Sequence, residues 1–268
     1  VIVDKRPGRA SLVEAGIDFG PLLHQLVSGE LDVDRMDYLL RDSYFTGVRY
    51  GTYDREWLVS NVSALTDGGI ARLAVDIRAL PTFEHFLLAR YHMFQMVYYH
   101  PISDAYDATL RRWLDAVGPE ARFPASLTEF VRCTDAWLRT RLEESSDPWA
   151  RRIIERRPYA LVAELRNDAD RAMKPRIIDA LSAAGVDAHW HTARPVLSRY
   201  ARKPAEERVD PLMIVDHRPP FGAGPRVVRI EDVTDLFERY DRAMRIERAY
   251  VLPEDKRRAR AALAELKA

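Results

Sequence analysis

The sequence is poor in cysteine, in long apolar runs and in charge of one sign. Its 268 residues include one cysteine, Cys133, which cannot form an internal disulfide. No run of about 18 apolar residues and no signal-like segment occurs, so we expect a cytoplasmic protein without a membrane span. The 41 basic and 41 acidic side chains cancel, so any charge-driven site must be local and nucleic acid is not an expected partner.

Helical patterns dominate the first part of the chain, and strand patterns appear later. Hydrophobic residues make up 47% of the sequence, enough for one large domain or two ordinary ones. After residue 166, short apolar runs such as "DPLMIVD" and "PRVVRI" predict strands between helices. We therefore expect a mainly α fold, with a helical domain over residues 1–166 and a smaller α+β subdomain over residues 167–268. The subdomain is a candidate for regulation or oligomerisation.

Capping and turn residues set the predicted boundaries. Gly47 ends a helix that starts at Asp34, the pair Gly68 and Gly69 predicts a turn before a strand, and Pro81 precedes a long helix. The predicted elements up to residue 166 are helices over 34–46, 52–63, 82–100, 103–116, 126–143 and 147–166, and a strand over 70–75. Those beyond it are a helix ended by Gly185, a strand through "HWH", strands in "DPLMIVD", "PRVVRI" and "IERAYVL", and helices in "DVTDLFERY" and "PEDKRRARAALAEL".

The stretch "GELDVDRMDYLLRDSYFTG", residues 29–47, carries an unusual density of charge. Six charged side chains stand between Asp32 and Asp42. On a helix, Asp34, Tyr38 and Asp42 lie on one stripe, and Arg35 flanks it. One interpretation is a solvated face with ion pairs between neighbouring turns. The other is a polar cleft in which a carboxylate binds a cation and an arginine binds an anion.

Arg90 is the second charged position of interest, because it lies in an aromatic helix. In an unbroken helix Arg90, Phe94 and Tyr98 share a face. The arginine can extend to the surface, or pair with one of the acids in the stretch 32–42. Alternatively, an anionic ligand bridges Arg35 and Arg90.

Two of these segments resemble motifs of a known family. The runs "LVSGELDVDRMDYLLRDSYFTGVRYGTYD" and "LLARYHMFQMVYYHPIS" are similar to two blocks of the HD-domain deoxynucleoside triphosphate triphosphohydrolases, which include the animal SAM-and-HD-domain enzyme. The runs "LTEFVRCTDAWL" and "SSDPWARRIIERRPYALVAEL" extend the resemblance, which covers about Leu26 to Val251. It implies the C-terminal part of a helical HD core. It also implies a cytoplasmic enzyme that hydrolyses dNTPs at the α-phosphorus to deoxynucleoside and triphosphate.

The resemblance implies roles for matching positions. Asp34 matches a ligand of a divalent metal, which can be Mg, Mn, Fe or Zn. Arg35 and Arg90 match residues that contact the substrate phosphates, and these three residues form the implied catalytic set. Tyr38 and Asp42 match residues near the substrate sugar.

Sugar selection and regulation are implied at three further positions. Tyr98 matches a tyrosine beneath the deoxyribose, where a 2′-hydroxyl would clash. Arg78 and His100 lie near positions that contact an effector nucleotide. By the same resemblance we expect a homo-oligomer, most simply a tetramer, with dNTPs as substrate and as effector.

One part of the family pattern is missing from the sequence. The remaining metal ligands of the family precede this motif as a His and a His-Asp pair, but the sequence contains no His-Asp dipeptide. The chain can be the later part of an enzyme whose HD segment precedes Val1, or a metal-free relative that serves as a partner. It can also hold a rearranged site in which His92 or His100 joins Asp34.

Other functions stay open alongside dNTP hydrolysis. The chain can be a non-catalytic regulatory or binding subunit, or an HD hydrolase of another phosphorylated substrate. His189 and His191 alternate on a predicted strand and could chelate a metal from one face, but the sequence identifies no third ligand for them.

Overall fold

The structure, a computed structural model, describes residues 12–193, 211–218, 224–236 and 245–267. The described residues form two compact units. Unit 1 takes its residues from 12–97 and 211–236, and unit 2 from 98–193 and 245–267.

Both units combine helices with a sheet. The helices are α1 (Gly20–Ser28), α2 (Val33–Thr46), α3 (Arg55–Ser60), α4 (Leu80–Met93), α5 (Pro101–Val117), α6 (Leu127–Phe130), α7 (Asp135–Glu144), α8 (Pro148–Ile154), α9 (Asp168–Ala172), α10 (Lys174–Ala183) and α11 (Lys256–Ala264). The strands are β1 (Val13–Glu14), β2 (Ile17–Asp18), β3 (Val62–Asp67), β4 (Ile70–Asp76), β5 (Ala160–Leu165), β6 (His189–Ala193), β7 (Met213–Asp216), β8 (Arg226–Arg229) and β9 (Ile246–Val251).

The sheet of unit 1 is organised around β4. A tight turn at Gly68 and Gly69, with φ of 56° and 76°, joins β3 to β4 as an antiparallel hairpin. The other edge of β4 pairs in parallel with β2 and β7, and β7 pairs with β8. Helix α1 lies against β4, where the Gln25 side chain accepts a hydrogen bond from the Leu73 N–H at 2.7 Å. The central strand is therefore buried and fixed in register.

Helix α4 is the most buried helix of unit 1. Phe83, Phe86, Leu87 and Met93 are fully buried along it, so apolar side chains occur on several of its faces. A π-helical turn, Phe94–Tyr98, follows α4 directly. The predicted helix over 82–100 is therefore not one continuous α-helix. The π turn takes up an extra residue, so the expected common face of Arg90, Phe94 and Tyr98 is interrupted.

Unit 2 is built on an antiparallel sheet in the order β5-β9-β6. One apolar cluster joins β5 and β9 to α10 and α11 through Leu165, Val251, Leu181 and Ala259. A second cluster joins α5 to β9, through Ala105, Ala108 and Tyr250 among others. The sheet thus lies between two helical layers.

A buried arginine crosses the α5 side of that sheet. Arg248 is 0% exposed and donates to the carboxylates of Asp104 and Glu164 and to the carbonyl oxygen of Tyr99. Burial acts to raise the pKa of Glu164, but the hydrogen bonds from Arg166 and Arg248 outweigh it and hold that pKa below its usual range. Two carboxylates therefore compensate one buried cation.

Several predicted elements are confirmed, and two predicted helices are partly wrong. Helix α2 ends at Gly47 with φ of 71°, and β4, β6 and β9 occur where they were expected. However, β3 begins inside the helix predicted over 52–63, and β5 ends the segment predicted as a helix over 147–166.

The physical reasons for the two missed strands differ. Arg156 has φ of 55° and Pro158 follows it, which stops α8 before β5. Strand β3 has a half-exposed sequence with little β character, and it is held by pairing with β4.

The mainly α prediction is confirmed only in part, because the fold is mixed α/β with a sheet in each unit. The boundary predicted after residue 166 falls within unit 2, between β5 and α9. The helix predicted in "DVTDLFERY" lies partly outside the described residues. Within the described ranges, no helix is both long and apolar enough to cross a membrane.

Replacing Arg248 tests the compensation of its buried charge. Arg248→Ala should lower the free energy of unfolding of unit 2 by about 3–5 kcal/mol, because Asp104 and Glu164 would lose their buried partner. Urea unfolding followed by tryptophan fluorescence measures this, since unit 2 holds four of the five tryptophans. Arg139→Ala, which removes an exposed pair with Glu143, is the control and should cost less than about 0.5 kcal/mol. Equal losses in the two variants would contradict the role of Arg248.

Candidate functional site

The first turn of α2 is set by an aspartate cap. Asp32 stands at the N-cap position, where its Oδ1 accepts a hydrogen bond from the Arg35 N–H at 2.8 Å. This cap fixes where the helix starts. Asp34 follows in the first turn and is exposed, and its negative charge is favourable at a helix N-terminus.

Arg35 is buried and closes the turn between α1 and α2. Its Nη1 donates to the carbonyl oxygens of Gly29 and of Glu30, the latter at 3.2 Å. Its Nε lies 3.6 Å from Asp32 Oδ2. These carbonyls follow the end of α1 and need donors. Arg35 therefore ties the end of one helix to the beginning of the next.

Arg90 reaches the same region from α4. Its side chain is 8% exposed, and its Nη1 lies 3.1 Å from Oε1 of Glu30, whose side chain is 0% exposed. The guanidinium also lies 5.5 Å from the centre of the Phe94 ring and hydrogen-bonds the side chain of Tyr38. An ion pair with an acid between residues 32 and 42 was expected as one alternative. The acid is Glu30, just before that stretch.

Tyr38 links the acidic stripe of α2 to Arg90. Burial raises the pKa of its phenol, and the nearby charges of Arg90 and Arg35 oppose that rise. Asp42 lies one turn further along the same face and is half-buried. The structure thus brings Asp34, Arg35, Tyr38 and Arg90 together in unit 1, as the sequence predicted.

The formal charges of this cluster nearly balance. Arg35 and Arg90 face three carboxylates, those of Glu30, Asp32 and Asp34. Burial raises the pKa of Asp32, the hydrogen bond and charge of Arg35 oppose this, and the charge of Asp34 adds to the rise. The cluster is consequently not a strongly positive cradle for phosphate.

A metal site is not complete within the described ranges. No group of three or more His, Cys, Asp or Glu side chains there could hold an ion, so Asp34 and its neighbours do not by themselves fit a catalytic metal. His92 is exposed and lies near the ring of Tyr50. His100 caps α5, where its Nδ1 accepts from the Ile102 N–H at 3.2 Å. The rearranged site with His92 or His100 gains no support.

The remaining predicted residues lie elsewhere. Tyr98 ends the π-helical turn and, like His100, belongs to unit 2. Arg78 follows β4 and binds Asp76 with both Nε (2.9 Å) and Nη2 (3.0 Å). The hydrogen bond from Arg78 lowers the pKa of Asp76. The effector and sugar roles of these residues stay predictions.

His189 and His191 contact different partners. His189 stacks on Tyr159 with ring centres 5.5 Å apart, and His191 Nε2 lies 3.7 Å from Asp104. Burial lowers the pKa of His189, and the positive charge of Arg112 adds to the effect. No third metal ligand joins the pair among the described residues.

Sequence reasoning missed two features. Glu30 was quoted in the charged stretch but given no role, although an acid between Gly29 and Leu31, at the end of a helix, is a signal for a buried partner. The second is the repeated pattern V-D-x-R, at residues 75–78 and at 215–218. In both copies the Asp accepts from the backbone and side chain of the Arg two residues later.

His189 makes the stability of unit 2 depend on pH. In the unfolded chain it titrates at its ordinary pKa of 6.5, so as pH falls through that value the unfolded state takes up the proton first and the folded state loses stability. The melting temperature should fall from pH 7 to pH 5, and should fall less in His189→Gln. Thermal unfolding followed by tryptophan fluorescence measures both. His92→Gln, at an exposed position of unit 1, should keep the wild-type slope, and an equal slope in His189→Gln would refute the assignment.

Comparisons of sequence add a family description. A family model described as "HD associated region" matches residues 53–175, which includes Arg78, Arg90, Tyr98 and His100 but not the stretch 29–47.

The curated relatives that match are uncharacterized proteins. The MG461 homolog of Mycoplasma pneumoniae is 38% identical over 92 residues, covering 33% of this chain and 22% of the relative. MJ1154 of Methanocaldococcus jannaschii is 30% identical over 128 residues, covering 44% and 28%. YwfO of Bacillus subtilis is 34% identical over 89 residues, covering 33% and 20%. The matched part thus spans under a third of the length of each relative.

Two solved structures share the fold. A hypothetical protein from Aquifex aeolicus has a TM-score of 0.70 at 22% identity, covering 91% of this chain and 60% of that chain. A phosphohydrolase from Bacteroides thetaiotaomicron has a TM-score of 0.57 at 22% identity, covering 86% and 63%. At this identity the likeness is one of fold. The chain has a fold found in a phosphohydrolase and contains an HD-associated region.

Proposed function

We propose that this chain is the later part of a metal-dependent HD-superfamily phosphohydrolase that converts dNTPs to deoxynucleoside and triphosphate. The supporting observation is the meeting of α2 and α4, where Arg90 lies beside Tyr38 and shares Glu30 with Arg35. Those are the positions at which the family resemblance implies substrate contacts. The HD-associated match and the fold shared with a phosphohydrolase point the same way.

The proposed roles follow from the chemistry of each side chain. Arg35 and Arg90 would offset negative charge on the phosphate oxygens as water attacks the α-phosphorus. Tyr38 and Asp42 would contact the sugar, and Tyr98 would exclude a 2′-hydroxyl. Because Glu30 and Asp32 already neutralise the two arginines, the substrate's charge must also be balanced by groups outside the described residues.

The metal is the least complete part of the proposal. Asp34 would contribute one carboxylate, and the other ligands would come from residues that precede Val1. Carboxylate suits Mg or Mn, and a mixed set with histidine suits Fe or Zn. We derive no step of the reaction through the ion.

Two other functions are tied to particular observations. A non-catalytic binding or regulatory subunit would account for a described region with no metal cluster. A hydrolase of another phosphorylated substrate would equally suit the fold shared with the Bacteroides phosphohydrolase. In the dNTPase reading, the partner is a second copy of the chain in a homo-oligomer, with nucleotide effectors near Arg78 and His100.

The dNTPase proposal can be tested on the complete natural polypeptide. Asp34→Ala should abolish triphosphate release from each dNTP in the presence of Mg²⁺ or Mn²⁺, because the proposed metal would lose a ligand. Ion-exchange separation of the products measures release. Asp37→Ala is the matched control: it lies on the same helix, pairs with Arg41 at the surface, and should leave activity unchanged.

Two results would contradict the proposal. Release of phosphate or pyrophosphate in place of triphosphate would exclude attack at the α-phosphorus. No release by the wild-type polypeptide from any dNTP would favour the regulatory subunit or the hydrolase of another substrate.

Tyr98 is expected to select the sugar. Tyr98→Ala should weaken discrimination against ribonucleotides, because the space for a 2′-hydroxyl would open. The ratio of kcat/KM for each dNTP to that for the matching ribonucleotide measures selectivity, with Tyr98→Phe as the control that keeps the ring. Unchanged selectivity in Tyr98→Ala would remove this residue from the sugar site.

A further inference from the structure

Glu30 makes contact with both arginines of the proposed phosphate site. Its carboxylate Oε1 lies 3.1 Å from Arg90 Nη1, and its carbonyl oxygen accepts from Arg35 Nη1 at 3.2 Å. The residue lies in the short connection between α1 and α2. One residue therefore holds the guanidinium groups of two separate helices.

The ion pair between Glu30 and Arg90 is costly for the fold. The Glu30 side chain is 0% exposed and that of Arg90 is 8% exposed, so both charges have left water. Replacing such a pair with apolar side chains of similar volume is often neutral or stabilising. Stability alone thus gives little reason for this pair, whereas a requirement for a fixed guanidinium does.

The surroundings of Arg90 limit its orientation on three sides. The carboxylate of Glu30 holds one nitrogen, the ring of Phe94 lies 5.5 Å from the guanidinium carbon, and the Tyr38 side chain hydrogen-bonds the same group. Of these three, Glu30 supplies the charge and the directional contact. Its main chain also fixes Arg35, so the spacing of the two cations depends on it.

We propose that Glu30 is a positioning residue, which sets the orientation of Arg90 and its spacing from Arg35 for contact with the substrate phosphates. This inference rests on the proposed function. Glu30 does not touch the substrate and acts through Arg90.

A double-mutant cycle in the complete polypeptide tests this role. Glu30→Gln should lower kcat by about tenfold to a hundredfold, because a misplaced catalytic group loses that much. KM should not rise, since removing a nearby negative charge does not weaken the attraction of Arg90 for triphosphate. In an Arg90→Met background the same change should have no further effect on kcat. Glu56→Gln, on the exposed face of α3, is the matched control and should match the wild type.

A second variant covers the case in which Glu30→Gln fails to fold. Glu30→Asp keeps the charge and withdraws the carboxylate by one methylene, so it should fold, lower kcat and again have no effect in the Arg90→Met background. An unchanged kcat in the folded variants would overturn the proposal. So would an equal fall of kcat in both backgrounds, or a rise of KM at constant kcat.

A measurement without substrate separates this inference from the proposed function. In nitrogen NMR of the arginine side chains, the Nη resonances of Arg90 should be resolved in the wild type, because the ion pair slows rotation of the guanidinium, and should merge in Glu30→Gln. Unchanged resonances would overturn the positioning role. If the wild type hydrolyses no dNTP, the proposed function fails, and the resonances still decide whether Glu30 anchors Arg90.

Discussion

A buried guanidinium must be matched by acceptors, and each unit of this protein is organised by one. In unit 1, Arg90 takes its carboxylate from Glu30, and in unit 2, Arg248 takes carboxylates from Asp104 and Glu164. Each pairing joins elements distant in sequence. Buried charge has few permitted geometries, so these pairs restrict how helices and strands can pack more tightly than apolar contacts do.

The two buried arginines differ in what surrounds them. Arg248 lies between a helix and a sheet, and its carboxylates come from both sides of β9. Arg90 lies beside an acidic stripe whose outer member, Asp34, is exposed. A cation next to accessible carboxylates can respond to a ligand, whereas one enclosed by the core of its own unit serves packing. This contrast favours unit 1 as the location of any chemistry.

The sequence predicted the candidate site better than it predicted the fold. Spacing on one helix was enough to group Asp34, Tyr38 and Asp42, because helix periodicity is local. The partner of Arg90 could not be found in this way, since Glu30 stands 60 residues earlier and outside the stretch that was considered. Strand β3 was missed for a related reason. Its pairing with β4, and not its own composition, makes it a strand.

The π-helical turn after α4 has a consequence for how this chain tolerates change in length. A π turn amounts to one residue inserted into an α-helix, and each residue turns a helix by about 100°. Deleting one residue from Phe94–Tyr98 would restore a regular helix and swing every later side chain of that segment to another direction, Tyr98 included. Relatives with this turn and relatives without it would then present different residues at the same depth. Alignment by sequence alone would hide the difference.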